Sequence, residues 1–417
     1  MRLILSLLIC TASILRALSP VEQECLDTVA KANTALRKVQ LDNGLVCLIY
    51  PDRSAPVVAV QIWVGCGAMH EGQWLGGGLS HGLEHMVFKG TPKYPGNSFT
   101  KLLNDAGGAL NAYTANDRTV YHVRLPASAW KLGIDTLGDA VQNCSLPPQT
   151  WASEQSVILR EMAMGEDDPG RQLFRIGMEQ LYRVHPFRVP IIGYADVFKS
   201  MTAENLDAYH KLFYTPDNMI VSVAGAIDPD EVEARIREVF AGAKRRARAA
   251  VVFPQEPAIS SPRAFRQEGD YQQTRILRAW HTVPQDHPDA PALDVLSAWL
   301  SSGRSSRLTR IFQDELQLAN DIGAYSSNTS DMGCFAVFAD VAPEKEEAFL
   351  KAFDAELATW KSDTISRKEL DRVRRQFIVS QLGKLTSMEG LAGTFASNQY
   401  YTGNPFSSEL YLSLIHI

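Results

Sequence analysis

Apolar residues recur along this chain with two periods, and the switches between them mark out its elements. Residues 45–50 and 55–64 (APVVAVQIWV) are β-branched and apolar, as buried strands are, and Leu41, Asp42, Asn43 and Gly44 before them read as a turn. After a glycine-rich stretch, Leu79, Leu83, Met86 and Val87 fall on one face of a helix that Gly90 and Pro92 stop. A short helix is predicted at 99–105, one or two strands at 109–125, and a further helix carrying Trp130, Ile134, Leu137 and Val141. Pro147 and Pro148 break the chain before a helix over about 151–165, with Thr150 as its N-cap. Helix 206–213, strand 218–226 and helix 229–240 follow.

Residues 244–262, basic and then Ala/Pro/Ser-rich, lack periodicity and read as a linker, with the KRRAR cluster at 244–248 its solvated end. Beyond it, strands are expected at 272–280, 322–325 and 334–341, and helices at 291–301, 308–316, 344–360 and 367–382. Strands mixed with helices in each part predict two α+β domains, at 37–243 and 269–417, joined through 244–268.

Composition changes this picture little. Of 417 residues, 45% are hydrophobic and 21% charged, which excludes wholesale disorder. The net charge of −6 gives no reason to expect nucleic acid as a partner. Arg2, the mostly apolar run 3–15 and the small residues near Ser19 describe a secretory signal peptide over 1–19 and hence an exported, periplasmic protein. No later apolar run reaches the roughly 18–20 residues of a membrane span. Cleavage would remove Cys10 and leave Cys25, Cys47, Cys66, Cys144 and Cys334. With no C-x-x-C, these signal neither a disulfide framework nor a thiolate zinc site. Cys47 and Cys66 are expected as buried thiols, with one disulfide left open.

The chemistry lies in the 79–89 helix, which contains His81, Gly82, Leu83, Glu84 and His85. Residues at i and i+4 share a helix face, so both imidazoles can reach one metal ion, and Glu84 stands beside them as a proton acceptor for an activated water. Catalytic zinc needs a third protein ligand. Glu154 and Glu161 share a face of the 151–165 helix, one as ligand and one as the group orienting a ligating histidine; spacing does not say which, and Glu166, Asp167 and Asp168 follow closely. His70, His122, His185, His210, His281, His287 and His416 have no partner at ligand spacing and are read as structural.

These residues carry a resemblance. HGLEHMVFKGT (81–91) is similar to the active-site segment of the pitrilysin/insulinase family of zinc metallopeptidases, the inverzincins with H-x-x-E-H, and to their bacterial processing-peptidase-like branch. LDNGLVCLIYPD (41–52), GGALNAYTANDRTVY (107–121), REMAMGEDDP (160–169) and SGRSSRL (302–308) resemble further segments of the family, in order. The resemblance implies two similar α+β halves closing on a chamber, the second catalytically inactive, and one Zn²⁺ held by His81, His85 and Glu161, with Glu84 as the catalytic base and Glu154 orienting a ligand. It implies that Asn111, Ala112 and Tyr113 lie on an edge strand that pairs with the backbone of a peptide substrate. The expected activity is endoproteolysis of short or unfolded peptides.

Two departures from the family stand out. Its members supply an arginine and a tyrosine from the second half; here Tyr325 is present, but Leu318 stands near the expected arginine. A homologous companion subunit supplying that arginine is the expected partner, and the alternative reading is a non-catalytic or partner-dependent peptide-binding subunit of a heterodimer. The second half is also expected to be incomplete, with 410–417 (LYLSLIHI) unlike the family.

Overall fold

The computed structural model describes residues 20–246 and 251–408. The leader-like segment 1–19, the end of the basic cluster at 247–248 and the 410–417 tail lie outside the described residues. The elements of the first part are α1 (Pro20–Ala35), β1 (Arg37–Gln40), β2 (Val46–Pro51), β3 (Val57–Val64), α2 (Leu79–Val87), α3 (Ser98–Asp105), β4 (Ala109–Thr114), β5 (Thr119–Pro126) and α4 (Trp130–Asn143). They continue with α5 (Pro148–Glu166), α6 (Pro169–Leu181), α7 (Ala195–Lys199), α8 (Ala203–Phe213), β6 (Met219–Gly225) and α9 (Pro229–Val239). The second part holds β7 (Thr274–Thr282), α10 (Ala290–Ser301), a π-helical segment Thr309–Glu315, β8 (Asp321–Asn328), β9 (Gly333–Val341), α11 (Glu346–Thr359), α12 (Arg367–Leu385) and α13 (Met388–Thr402).

Strands β1-β2-β6-β3-β5-β4 form one mixed sheet, antiparallel except where β2 meets β6. The unbroken apolar run of β3 has a direct cause: the strand is covered on both faces. Val58, Val60, Ile62 and Val64 pack with Leu83, Met86, Ile134 and Ile158 on the helical side. Ala59 and Trp63 face the other way, onto Leu391, Ala392, Phe395 and Ala396 of α13. At the sheet's margin, β4 pairs only with β5 among the described residues and alternates exposed with half-buried positions.

Most elements match the sequence pattern, with instructive exceptions. Helix α5 begins at Pro148, not near Trp151, and Thr150 is not its cap. Proline's fixed φ and missing N–H suit the first helical turn, so it starts this helix rather than ending the segment before it. The segment expected as helix 308–316 is π-helical, with Leu316 N–H donating to the carbonyl of Ile311. The pattern assigns no element to α1, α6 or α13. The inner face of α13 carries Met388, Leu391 and Phe395 with Ala392 and Ala396, and the two alanines let the helix lie close to the sheet.

In the second part, β7-β9-β8 form an antiparallel sheet against α10 and α11 around Phe312, Phe335, Phe349 and Phe353. The parts are joined by polar contacts at the β8–β9 turn. Ser330 N–H donates to Asp117 Oδ2 at 2.9 Å, His185 Nε2 lies 2.9 Å from Asp331 Oδ2, and Tyr182 Oη donates to the Gly333 carbonyl at 2.7 Å. The irregular linker is tied down: Glu256 accepts the amides of Arg183, Val184 and His185. The five described cysteines are free thiols, so no disulfide joins them.

Candidate metal centre

Helix α2 starts at Gly78, whose φ of +64° is left-handed and where a Cβ would meet the Ile192 carbonyl at 2.3 Å. Glycine is the residue that fits there. The helix N-terminus is covered from a distance by Glu71, whose carboxylate accepts Gly78 N–H and Ser80 N–H, each at 3.0 Å. Glu71 is 1% exposed. Burial pushes its pKa up to about 8, against the two backbone donors, which pull it down. Leu79, Leu83, Met86 and Val87 are buried in the core, which turns His81, Glu84 and His85 to the other side of the helix.

Glycine also lets α5 approach. A Cβ on Gly82 would meet Trp151 at 2.9 Å, and Trp151 is anchored by its indole N–H to the Met201 carbonyl. That contact brings Glu154 and Glu161 to α2. The Nε2 atoms of His81 and His85 each lie 3.8 Å from Glu161 Oε2, and the donor atoms of the three residues lie within 4.8 Å of one another. Burial, and after it the neighbouring His85, lowers the His81 pKa to about 4, so that imidazole is neutral with a lone pair to offer. Its Nδ1 is buried without a hydrogen-bond partner among the described residues. Two imidazole nitrogens and one carboxylate oxygen are a donor set that suits zinc, and these residues fit it.

The two carboxylates of α5 differ in their partners. Glu154 is used on both oxygens: Oε2 is 3.3 Å from His85 Nδ1 and Oε1 is 2.7 Å from Lys89 Nζ. Glu161 is 43% exposed at its side chain and pairs, among the described residues, with the imidazoles. Asp168 caps α6 and Glu166 pairs with Arg175, so neither joins the cluster.

Glu84 Oε2 accepts a hydrogen bond from Thr114 Oγ1 at 2.6 Å. Burial raises the Glu84 pKa, and Thr114 and His85 oppose that rise. Asn111, Ala112 and Tyr113 lie on the marginal strand β4, where Asn111 Oδ1 accepts the Ala112 amide at 2.9 Å. Tyr113 is 39% exposed, with the Arg118 guanidinium 5.8 Å from its ring centre. Tyr325 sits in an apolar seam against Phe174 and Phe338, and burial raises its pKa. Away from the centre, His122 pairs with Glu389, His185 with Asp331, and His210 and His281 with backbone carbonyls.

Lys89, Thr114 and Glu71 take part in the site without having been singled out from sequence. Lys89 stands four residues after His85, and Thr114 continues the alternation of Leu110 and Ala112 towards α2, so both had a readable spacing. Glu71 precedes its helix by too many residues for any capping pattern to show it.

The sequence matches two family models in succession. Residues 47–194 match one described as insulinase (peptidase family M16), and residues 200–377 match one described as peptidase M16 inactive domain. His81, Glu84, His85, Glu154 and Glu161 all fall within the first. An uncharacterized zinc protease of Mycobacterium bovis is 32% identical over 317 residues, 75% of this chain and 72% of that protein. Another, of Rickettsia felis, is 28% identical over 81% of both chains. Among solved structures, a protease from Helicobacter pylori superposes with a TM-score of 0.85 at 25% identity, covering 91% of this chain and 92% of that one. A peptidase M16 inactive domain from Pseudomonas fluorescens has the same fold, with a TM-score of 0.83 at 18% identity and 91% of each chain covered.

Proposed function

Since the chain belongs to the insulinase family, peptidase family M16, we propose that it is a zinc-dependent endopeptidase that hydrolyses short or unfolded peptides. The observation that carries this reading is the convergence of His81, His85 and Glu161 with Glu84 on the same helix. His81, His85 and Glu161 would hold the ion, and Glu154, neutralised by Lys89, fixes the ring of His85 through Nδ1. Bound zinc supplies Lewis acidity, which polarises a carbonyl and acidifies water towards a pKa of about 7. Glu84 accepts the water's proton and returns it to the leaving amine.

Strand β4 receives the substrate. Its outer edge has no neighbouring strand among the described residues, so an extended peptide can add there through main-chain hydrogen bonds, with little dependence on side chains. Asn111, Ala112 and Tyr113 form that edge. The leader-like segment 1–19 supports export to the periplasm, which fractionation of the native host would test.

The test compares the wild type with Glu84→Gln for zinc content and for cleavage of quenched fluorescent peptides. Both should bind about one zinc per chain, with turnover lost in the variant by roughly 10²–10⁴-fold. A folded chain that binds no zinc would overturn the reading. A second reading, capture of peptides with cleavage dependent on a companion subunit, is favoured by the position of Tyr325 against Phe174 and Phe338. Zinc binding without cleavage by either protein would select it.

A further inference from the structure

Thr114 is the last residue of β4 and sits on the inward-facing row with Leu110 and Ala112, both packed against the core. Its hydroxyl donates to Glu84 Oε2 at 2.6 Å. A hydrogen bond to a carboxylate from a neutral donor is short and charge-assisted, and it selects one orientation of the acceptor. The side chain is β-branched and therefore stiff at χ1, so the position of the hydroxyl follows from the position of the strand.

The strand end is held from several sides. Ala115 and Asn116 accept the amides of Ala68 and Met69, at 3.3 and 2.8 Å. Thr119, opposite Thr114 in the β4–β5 register, donates its hydroxyl to the Cys66 carbonyl at 3.0 Å. Asp117 takes Ser330 N–H from the second part of the chain, and its carbonyl accepts the Tyr400 hydroxyl at 2.6 Å. The hydroxyl of Thr114 is thus carried by one of the more firmly tied hairpin ends of the molecule. Glu84, by contrast, projects from a helix and has no cationic partner to fix its carboxylate among the described residues.

We propose that Thr114 is a positioning residue: it holds the carboxylate of Glu84 in the orientation for proton transfer, and it does so from the same strand that receives the substrate backbone. This rests on the peptidase reading above. One rigid strand then sets both the path of the peptide and the aim of the base, so that the two are in register without any further part. The residue contributes to turnover rather than to ground-state binding, because its hydroxyl is turned towards Glu84 and away from the open edge.

Thr114→Val keeps the branching and volume of the side chain and removes the donor, whereas Thr114→Ser keeps the donor. Kinetics on a quenched fluorescent peptide should show kcat of Thr114→Val lowered by roughly 10–100-fold. KM should change by less than about twofold and zinc content should be that of the wild type, as expected when only the transition state is affected. Thr114→Ser should return to within about threefold of wild-type kcat. An unchanged kcat in Thr114→Val, a Thr114→Ser variant equally impaired, or loss of zinc would each overturn the proposal.

A second measurement does not depend on turnover. In metal-free protein, Thr114→Val should lower Tm by about 1–2 °C in the wild type and by much less in a Glu84→Ala background. Equal shifts in the two backgrounds would mean that the pair does not interact, whatever the kinetics show. A wild type that binds zinc but cleaves nothing defeats the peptidase reading, while the thermal cycle still decides whether Thr114 holds Glu84.

Discussion

Both parts of the chain bury carboxylates, but they treat them differently. In the second part, Glu356 is 8% exposed and is met by Arg307, whose Nη2 lies 3.1 Å from Oε2, and by the Trp360 indole N–H at 2.8 Å. In the first part, Glu84 and Glu71 are met by neutral donors: a threonine hydroxyl and two backbone amides. A guanidinium stabilises a carboxylate as an anion and leaves it a poor proton acceptor, and a neutral donor orients the group while leaving its basicity largely intact. Glu154 stands between these cases, since Lys89 fixes its charge while His85 uses its other oxygen. Asp117, 1% exposed in the first part, also pairs with a guanidinium, that of Arg118 at 3.0 Å, so what sets Glu84 and Glu71 apart is the kind of partner each acid has rather than the half it lies in.

The largest effect should come from the ligands. His85→Ala should abolish stoichiometric zinc binding, measured by metal analysis after dialysis, while His281→Ala in the second part should leave it intact; equal losses would erase the contrast. Next, Glu154→Gln removes the anion that Lys89 and His85 share, and zinc affinity should fall by roughly 10–100-fold in a competition assay with a chelating dye. Arg307→Met leaves Glu356 buried without its cation and should lower Tm by several degrees with zinc content unchanged, the signature of a purely structural pair.

The smallest effect is a slope. The pKa of Glu71 is raised in the folded protein, so folding favours its protonated form. The stability linked to it is complete below the unfolded carboxyl value near 4.5 and is lost as pH rises through about 8. Thermal melts from pH 5 to pH 9 should therefore show a downward trend in the wild type that is shallower in Glu71→Gln. A steeper decline in the variant would mean that the two backbone donors outweigh burial and that the group is held as an anion.

Much of this was legible in the sequence, and the reasons differ by element. Strand β3 was readable because a strand covered on both faces is uniformly apolar, and α2 because its apolar residues keep the helical period. The candidate metal residues were readable because helix spacing alone places His81 beside His85 and Glu154 above Glu161. What spacing could not convey was the ordering of the two glutamates, which depends on where Lys89 reaches, nor the part played by Glu71, whose contact crosses a glycine loop. Helix α13 escaped although Leu391, Ala392, Phe395 and Ala396 keep the helical spacing, because Gly390 and Gly393 interrupt the run with residues that disfavour helix.

That helix has a consequence for how the protein is made. The outer face of the first sheet, with Leu48, Tyr50, Trp63 and Ile220, is covered by residues 388–396, which are synthesised last among its partners. At about 5–20 residues per second, translation leaves that face waiting on the order of ten to thirty seconds after β6 has emerged. During that interval the nascent chain presents an apolar sheet surface covered only in part, by Ala32 and Leu36 at the end of α1. The first sheet is thus enclosed only once residues 388–396 have been made, and any pause or release late in translation falls on the part of the chain that carries the candidate metal residues.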